Sequence, residues 1–309
     1  MGPPPDLRRL ASLLVPAGAP LPVEPPAPEV VTRWVEDRIR ALRLRRPDPA
    51  AEGPEEDPRW LVWWLLRMAA ATYRHLSRPP QPVDPALLAR FRALVTGRPS
   101  ADEQHAQLHV DAASTLRRAM AVRDRLPSPA GPVLAVGDDD AVTVALALLG
   151  VHDLHAIDVD ARVLDLLRHA GQALGAPIGT TVVDVYDDPL PVPLRRRCAA
   201  VITDPPRSFD GALPFLLHAL AALRREPPGR VFWADHPDWN FEHEALLRAL
   251  EQAGLRCEEV LPSLHLYPLD PAAFPKLEAS ASAVGADPAW LAALARHVRA
   301  VSHLVVAAP

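Results

Sequence analysis

The chemistry-bearing residues of this chain are carboxylates, and they recur where apolar runs end. Asp138, Asp139 and Asp140 follow Gly137, directly after the run Val133–Val136. Asp158 and Asp160 close Leu154–Ile157, Asp184 stands near the end of Thr180–Val185, Asp204 follows Cys198–Ile202, and Asp235 follows Arg230–Ala234. Carboxylates bind cations, orient an amine, or take its proton. They repel phosphate, because a turn that cradles pyrophosphate offers backbone N–H groups and no negative side chains. The Gly137–Asp140 turn therefore disfavours NAD or FAD and favours a cationic ligand, such as a sulfonium carrying an amine. Asp is also an ordinary helix N-cap. That accounts for one aspartate in a turn but not readily for three in succession.

These groups need elements that bring them together. Gly137 ends a short buried strand, and the apolar run Ala141–Leu149 predicts a helix stopped by Gly150. Asp158 lies about 20 residues after Gly137, where nucleotide-binding sheets place the carboxylate that grips a ribose. Helices are predicted over Arg162–Leu174, Phe209–Arg225, Phe241–Ala253 and Ala289–Ala300, with further strands over Cys257–Leu266 and Ser302–Ala307. Strands alternating with helices imply an α/β fold: a Rossmann-like, methyltransferase-type, seven-stranded, mainly parallel sheet covered on both faces. Ligands then sit at the C-terminal ends of the strands, where these aspartates collect.

Residues 1–28, rich in Pro and Ala, read as a flexible leader. Glu29–Arg46, Asp57–Leu76 and Pro85–Val95 read as helices, and Ala101–Arg125 as a bridging helix. Together they make an N-terminal helical module over 29–126, with the catalytic domain over 127–309 entered through Pro127-Ser128-Pro129. Trp60, Trp63, Trp64 and Met68 suit packing rather than a stacking platform, and Arg43, Arg45 and Arg46 suit a solvated face. The 309 residues carry a net charge of −5, and no basic stripe dominates, which disfavours nucleic acid as a partner. Cys198 and Cys257 share no metal or redox spacing and fit a reduced cytoplasm. No apolar run reaches the roughly 18 residues of a membrane helix, and the N-terminus lacks signal-peptide order. His152, His155, His236 and His243 lack ligand spacing, so no metal is expected.

Asp204-Pro205-Pro206 is the most specific of the remaining motifs. Two prolines stiffen a carboxylate on a strand end, where it holds an amine with its lone pair toward a reacting carbon. With Gln104, Thr115-Leu116-Arg117-Arg118, Gly137-Asp138-Asp139-Asp140, Asp158-Val159-Asp160 and Gly211, this motif resembles the branched-chain polyamine synthase family, the N4-bis(aminopropyl)spermidine synthases. The resemblance covers roughly Gln104–Arg225. It implies an N-terminal winged-helix-like module, a Rossmann-like catalytic domain, a homodimer, and aminopropyl transfer from decarboxylated S-adenosylmethionine to a polyamine nitrogen. The family pattern continues with Tyr-Thr where this chain has Arg207-Ser208, which alters the acceptor half of the site.

The expected site follows. Asp158 holds the ribose and Asp184 the adenine edge. Gly137, Asp138 and Asp160 complete the donor site, and Asp138–Asp140 contact the aminopropyl end, with Asp139 and Asp140 catalytic. Asp204 orients the attacking amine and takes its proton. Pro205, Pro206, Arg207, Asp210 and Asp235 face the acceptor, a polyamine or another amine. The first reading is an aminopropyltransferase with an altered acceptor. The alternatives are an S-adenosylmethionine-dependent methyltransferase acting on an amine, small-molecule or peptide substrate, and a non-catalytic regulator that senses a polyamine or nucleoside.

Overall fold

Val133 and Ala135 point to one side of their strand and Leu134 and Val136 to the other, as the two-residue period of a strand requires. In the computed structural model all four are buried, so both faces of the sheet are covered. The structure describes residues 5–16, 19–20, 22–45, 57–77, 81–102, 105, 107–235, 242–269 and 274–309. Three predicted features, Gln104, Arg46 and His236, lie outside the described residues, as does Phe241, the predicted start of a helix.

In chain order the elements are α1 (Pro5–Leu14), α2 (Pro28–Ala41), α3 (Pro58–Ser77), α4 (Pro85–Leu94), α5 (Ala112–Arg123), β1 (Val133–Val136), α6 (Val142–Leu148), β2 (Leu154–Asp158), α7 (Ala161–Ala173) and β3 (Ile178–Val182). Then follow β4 (Ala200–Thr203), α8 (Phe209–Ala222), β5 (Arg230–Asp235), α9 (His243–Gln252), β6 (Arg256–Pro268), α10 (Phe274–Ala283), α11 (Pro288–Ala295) and β7 (Arg299–Ala308). The strands form one seven-stranded sheet in the order β3-β2-β1-β4-β5-β7-β6. The pairs β1–β2, β1–β4, β2–β3 and β4–β5 are parallel, and β7 is antiparallel to β5. The expected methyltransferase-type, mainly parallel sheet is therefore what the chain forms. Among the described residues no helix is long and apolar enough to cross a membrane.

The chain divides into two compact units. One comprises Gln81–His265 and Ser302–Pro309 and holds most of the sheet. On one face of it, Val133, Ala135, Ile202 and Phe232 pack with Phe91, Leu116, Leu146 and Leu167; on the other, Val136, Val201 and Trp233 pack with Leu216, Leu246 and Leu250. Phe91 and Leu116 belong to α4 and α5. Both helices are thus part of the sheet unit, and the predicted boundary at 127 is corrected to the neighbourhood of residue 81. The predicted bridging helix is also shorter: it begins at Ala112, where the Asp111 carboxylate accepts a hydrogen bond from the Ser114 N–H.

The other unit comprises Met1–Pro80 and Leu266–Val301. The predicted leader contains α1, whose Leu7, Leu10, Ala11 and Leu14 are buried at helical spacing. The indole N–H of Trp290 donates to the carbonyl of Leu13 at 2.7 Å, and the Tyr73 hydroxyl donates to the carbonyl of Pro26 at 2.7 Å. Met68 is buried and Trp60 and Trp64 stack half-buried, in keeping with a packing role. The described residues of 1–80 form α1–α3 and no strand. α10 was not foreseen, and the helix predicted over Ala289–Ala300 ends at Ala295. The chain passes between the two units within β6 and again within β7.

Two features set the turn after β1. Gly137 has φ +69°, and a Cβ placed there would meet Phe215 Cε1 at 3.0 Å. The Thr203 hydroxyl donates to the Val136 carbonyl at 2.8 Å and ties β4 to β1 where the turn begins. Gly137→Ala is expected to lower stability by about 1–2 kcal/mol, through left-handed strain and displacement of the Phe215 ring. Urea denaturation checks this: an unchanged midpoint at unchanged slope would show that the turn tolerates a side chain.

Candidate active site

The sheet register brings the acidic ends together. Val136 lies opposite Ile157 on β2 and opposite Thr203 on β4. The next residues, Gly137, Asp158 and Asp204, therefore emerge side by side. They do so at β1 and β4, where the strand order reverses, the usual ligand crevice of such sheets.

The three aspartates of the turn have three different duties. Ala141, the residue before α6, is left-handed at φ 56° and offers no side-chain cap. Asp138 replaces that cap. Its carboxylate accepts from the backbone N–H of Val142 at 2.6 Å and of Thr143 at 3.1 Å, and from the Thr143 hydroxyl. Burial pushes its pKa up to about 7 against these bonds. Asp140 is also turned inward: it accepts from the Val110 N–H at 2.9 Å and lies 3.3 Å from a guanidinium nitrogen of Arg118 and 3.7 Å from one of Arg98. Burial raises it to about 6, and Arg118 opposes the rise. Only Asp139 reaches the cleft wall. Burial and then the charges of Asp140, Asp204 and Asp158 hold its pKa well above the ordinary value, with Arg98 pulling the other way. His109 Nε2 lies 3.7 Å from Asp139, and burial followed by Arg98 depresses that imidazole to about 4, so it is neutral at physiological pH.

Asp158 is gripped at both oxygens, by the N–H of Asp138 at 2.9 Å and of Asp160 at 2.9 Å, and lines the cleft. Two fixed donors orient a carboxylate without exhausting its lone pairs, so it remains able to accept from a diol. Burial raises its pKa. Asp204 accepts from Arg118 Nη2 at 2.7 Å. Arg118 is only 2% exposed and also donates from Nε to His265 Nε2 at 3.0 Å. That bond makes Nε2 an acceptor, so the neutral His265 carries its proton on Nδ1 and donates to Ser302 Oγ at 2.7 Å.

These groups open on a cleft of about 250 Å³. Four carboxylates line it: Asp139, Asp158, Asp184 and Asp204. Tyr186 and Phe215, whose rings meet edge-on at 6.1 Å, supply its aromatic surface. Gly137, Pro205, Pro206 and Arg207 complete the expected set in the wall. Five expected residues do not line it. Asp138 and Asp140 are turned into the protein as described. Asp160 caps α7 through the Arg162 N–H at 2.9 Å and meets the Arg162 guanidinium at 2.9 and 2.7 Å. Asp210 is exposed in the first turn of α8, a helix capped instead by Ser208. Asp235 lies 3.0 Å from His243 Nδ1 and lines a small adjoining cavity with Pro205 and Arg207. Sequence reasoning missed Tyr186 and Phe215 in the wall, and Arg118, His109 and His265 behind it. Arg118 ends the Thr115-Leu116-Arg117-Arg118 motif, but nothing in the sequence marks it as buried.

Comparison with known proteins bears on this arrangement. Residues 86–269 match the family model of the branched-chain polyamine synthase A C-terminal domain. The N(4)-bis(aminopropyl)spermidine synthase of Thermus thermophilus is 29% identical over 180 residues, 58% of this chain and 52% of that protein. The N(4)-bis(aminopropyl)spermidine synthase of Methanocaldococcus jannaschii is 27% identical over 141 residues, 45% of this chain and 40% of that protein. The chain spans about half the length of the curated relatives it matches. The crystal structure of the branched-chain polyamine synthase from Thermus thermophilus in complex with N4-aminopropylspermidine and 5′-methylthioadenosine is alike in fold, with a TM-score of 0.60 and 21% identity, covering 98% of this chain and 92% of that chain.

The corrected duty of Asp160 is testable by acid. Hydrogen bonding to Arg162 depresses its folded pKa from 3.8 to about 2. A depressed carboxylate contributes stability above its unfolded pKa and loses it as pH falls through the folded value. Because Arg162 is largely exposed, the contribution is discounted to about 0.2–1 kcal/mol. Asp160→Asn should lower the unfolding free energy by that amount at neutral pH and flatten its fall between about pH 4 and 2, measured by urea titration. Nucleoside affinity at the cleft should stay within about twofold of wild type. A large loss of affinity in the folded variant would return Asp160 to the site.

Proposed function

The chain belongs to the branched-chain polyamine synthase family, and from that premise we propose that it moves an aminopropyl group from decarboxylated S-adenosylmethionine to an amine acceptor. The observation that carries the reading is the four-carboxylate cleft wall, in which Arg207 is the one Arg or Lys among the described residues. The donor carries an ammonium and a sulfonium and lacks a carboxylate, so its charges suit that wall. Asp158, held by two backbone N–H groups, accepts from the ribose diol, and Asp184 takes the adenine edge. Tyr186 and Phe215 give the nucleoside an apolar, aromatic neighbour.

In the reaction a neutral amine nitrogen directs its lone pair at the methylene carbon bonded to sulfur. The C–N bond forms as the C–S bond breaks, and the C–S electron pair goes to sulfur. The products are uncharged methylthioadenosine and an alkylated ammonium that gives up a proton. Asp139 accepts the proton, because burial and three neighbouring carboxylates raise its affinity for one. Asp204 orients the amine. Its charge is already shared with Arg118, which suits it to holding a donor N–H rather than taking the proton. Arg207 adds a guanidinium fork to an acidic wall, and such a fork matches carboxylate geometry. The acceptor differs accordingly from a simple polycation.

The direct test is incubation with each donor and spermidine or a cell extract, followed by mass spectrometry for added aminopropyl or methyl mass. Aminopropyl addition is expected; methyl addition alone would replace this reading by methyl transfer, and binding without turnover by a ligand sensor. Asp139→Asn should lower turnover by about 10²–10⁴-fold, beyond any loss of donor affinity from the missing wall carboxylate. The base works ionised, so wild-type kcat/KM should rise with pH through the raised pKa of Asp139. His109, neutral down to about 4, adds no limb above that. A pH profile in Asp139→Asn that matches wild type in shape and height would remove Asp139 from proton transfer.

For the acceptor side, Arg207→Tyr with Ser208→Thr should tighten spermidine binding and weaken a carboxylate-bearing amine, by calorimetry at low salt, where exposed charges are least screened. Tight spermidine binding by wild type, unaltered by the double change, would end the altered-acceptor reading.

A further inference from the structure

Three carboxylates of one turn and one strand end crowd a single place: Asp139, Asp140 and Asp204. Like charges so close share protons, and a shared proton has no fixed address. The buried groups around them are arranged unequally. Arg118 places Nη1 3.3 Å from Asp140 and Nη2 2.7 Å from Asp204, one prong for each. Its third direction, Nε, is used by His265 at 3.0 Å, and His265 is itself fixed through Ser302 at 2.7 Å. A planar guanidinium with its Nε direction fixed cannot swing both prongs toward one acceptor. Asp139 has no prong of this fork. It faces Asp140, Asp204 and Asp158 as negative groups, Arg98 as a positive one, and neutral His109.

We infer that Arg118, aimed by neutral His265, is a positioning residue that holds Asp140 and Asp204 as carboxylates and thereby makes Asp139 the one member of the cluster that exchanges protons with the cleft. The fork divides the labour. Two carboxylates become fixed negative charges, and their field makes the third a better base. Asp204 then meets an incoming ammonium or amine as a permanent acceptor. His265 takes no proton in this scheme, because protonation at Nε2 would set a cation against the Arg118 Nε–H. The inference rests on the transferase reading for its purpose and is tested apart from it.

The test is a carbon-13 NMR titration of the aspartate carboxyls in the ligand-free protein, for wild type, Arg118→Met, Arg118→Lys and His265→Phe. In Arg118→Met the Asp139 midpoint should rise by about one pH unit or more, because its two neighbours lose their counter-charge. Arg118→Lys keeps the charge but reaches one carboxylate only, and His265→Phe frees the fork. Both should move the midpoint upward by less, and the rising limb of kcat/KM should move with it. A purely structural role would lower stability and leave these midpoints in place. An unchanged Asp139 midpoint in folded Arg118→Lys and His265→Phe overturns the inference, even where Arg118→Met fails to fold. Shifted midpoints in a protein with no aminopropyl transfer would sustain the charge network and sink the reaction assigned to it.

Discussion

One guanidinium, buried to 2% exposure, stands between two carboxylates at the edge where the sheet's strand order reverses. Charges so far from water persist only when paired and hydrogen-bonded. The surrounding groups meet that condition: Val110 donates to Asp140, His265 accepts from Arg118, and Ser302 fixes His265. Asp140 and Asp204 therefore share one buried counter-charge, while Asp139, outside the fork, keeps a raised pKa. Without that compensation, a strand edge with this many aspartates would take up protons and lose its negative potential.

The sheet was readable because strands and turns announce themselves locally. Val133–Val136 followed by glycine, and Leu154–Ile157 followed by aspartate, needed no tertiary information. The duties within the Asp-Asp-Asp turn were not readable in the same way. Their division depends on the left-handed Ala141, which displaces the helix start and leaves Asp138 as the nearest acceptor for the Val142 and Thr143 amides. Three identical residues thus become a cap, a buried anchor and a part of the cleft wall. Arg118 was hidden for a related reason: a buried arginine and a surface arginine on a helix look alike in sequence, and only packing against β6 and the Asp204 strand separates them. The helix over Pro5–Leu14 was legible in principle, since Leu7, Leu10 and Leu14 have helical spacing, but the surrounding prolines obscured it.

The two sides of the cleft differ in how they are built. One draws on backbone geometry, with Asp158 held by two amides and Gly137 closing against Phe215. The other draws on side chains of one loop, Pro205 to Arg207, and on Tyr186 from another. Side chains on loops change at less cost to the fold than a strand-end turn does. Arg207 belongs to the side of the cleft that can vary at the smaller cost.

The place of β7 has a consequence for assembly. β6 precedes it in the chain yet lies outside it, at the rim of the sheet, with β7 between β6 and β5. β6 thus has no neighbour in the sheet until β7 has inserted. His265 lies on β6 and Ser302 on β7, so the pair that aims Arg118 comes into being only with that insertion. The charge arrangement of the candidate cleft therefore depends on the complete sheet. Without β7 the parallel strands would still bring Gly137, Asp158 and Asp204 together, but Arg118 would lack the His265–Ser302 pair that fixes its Nε direction.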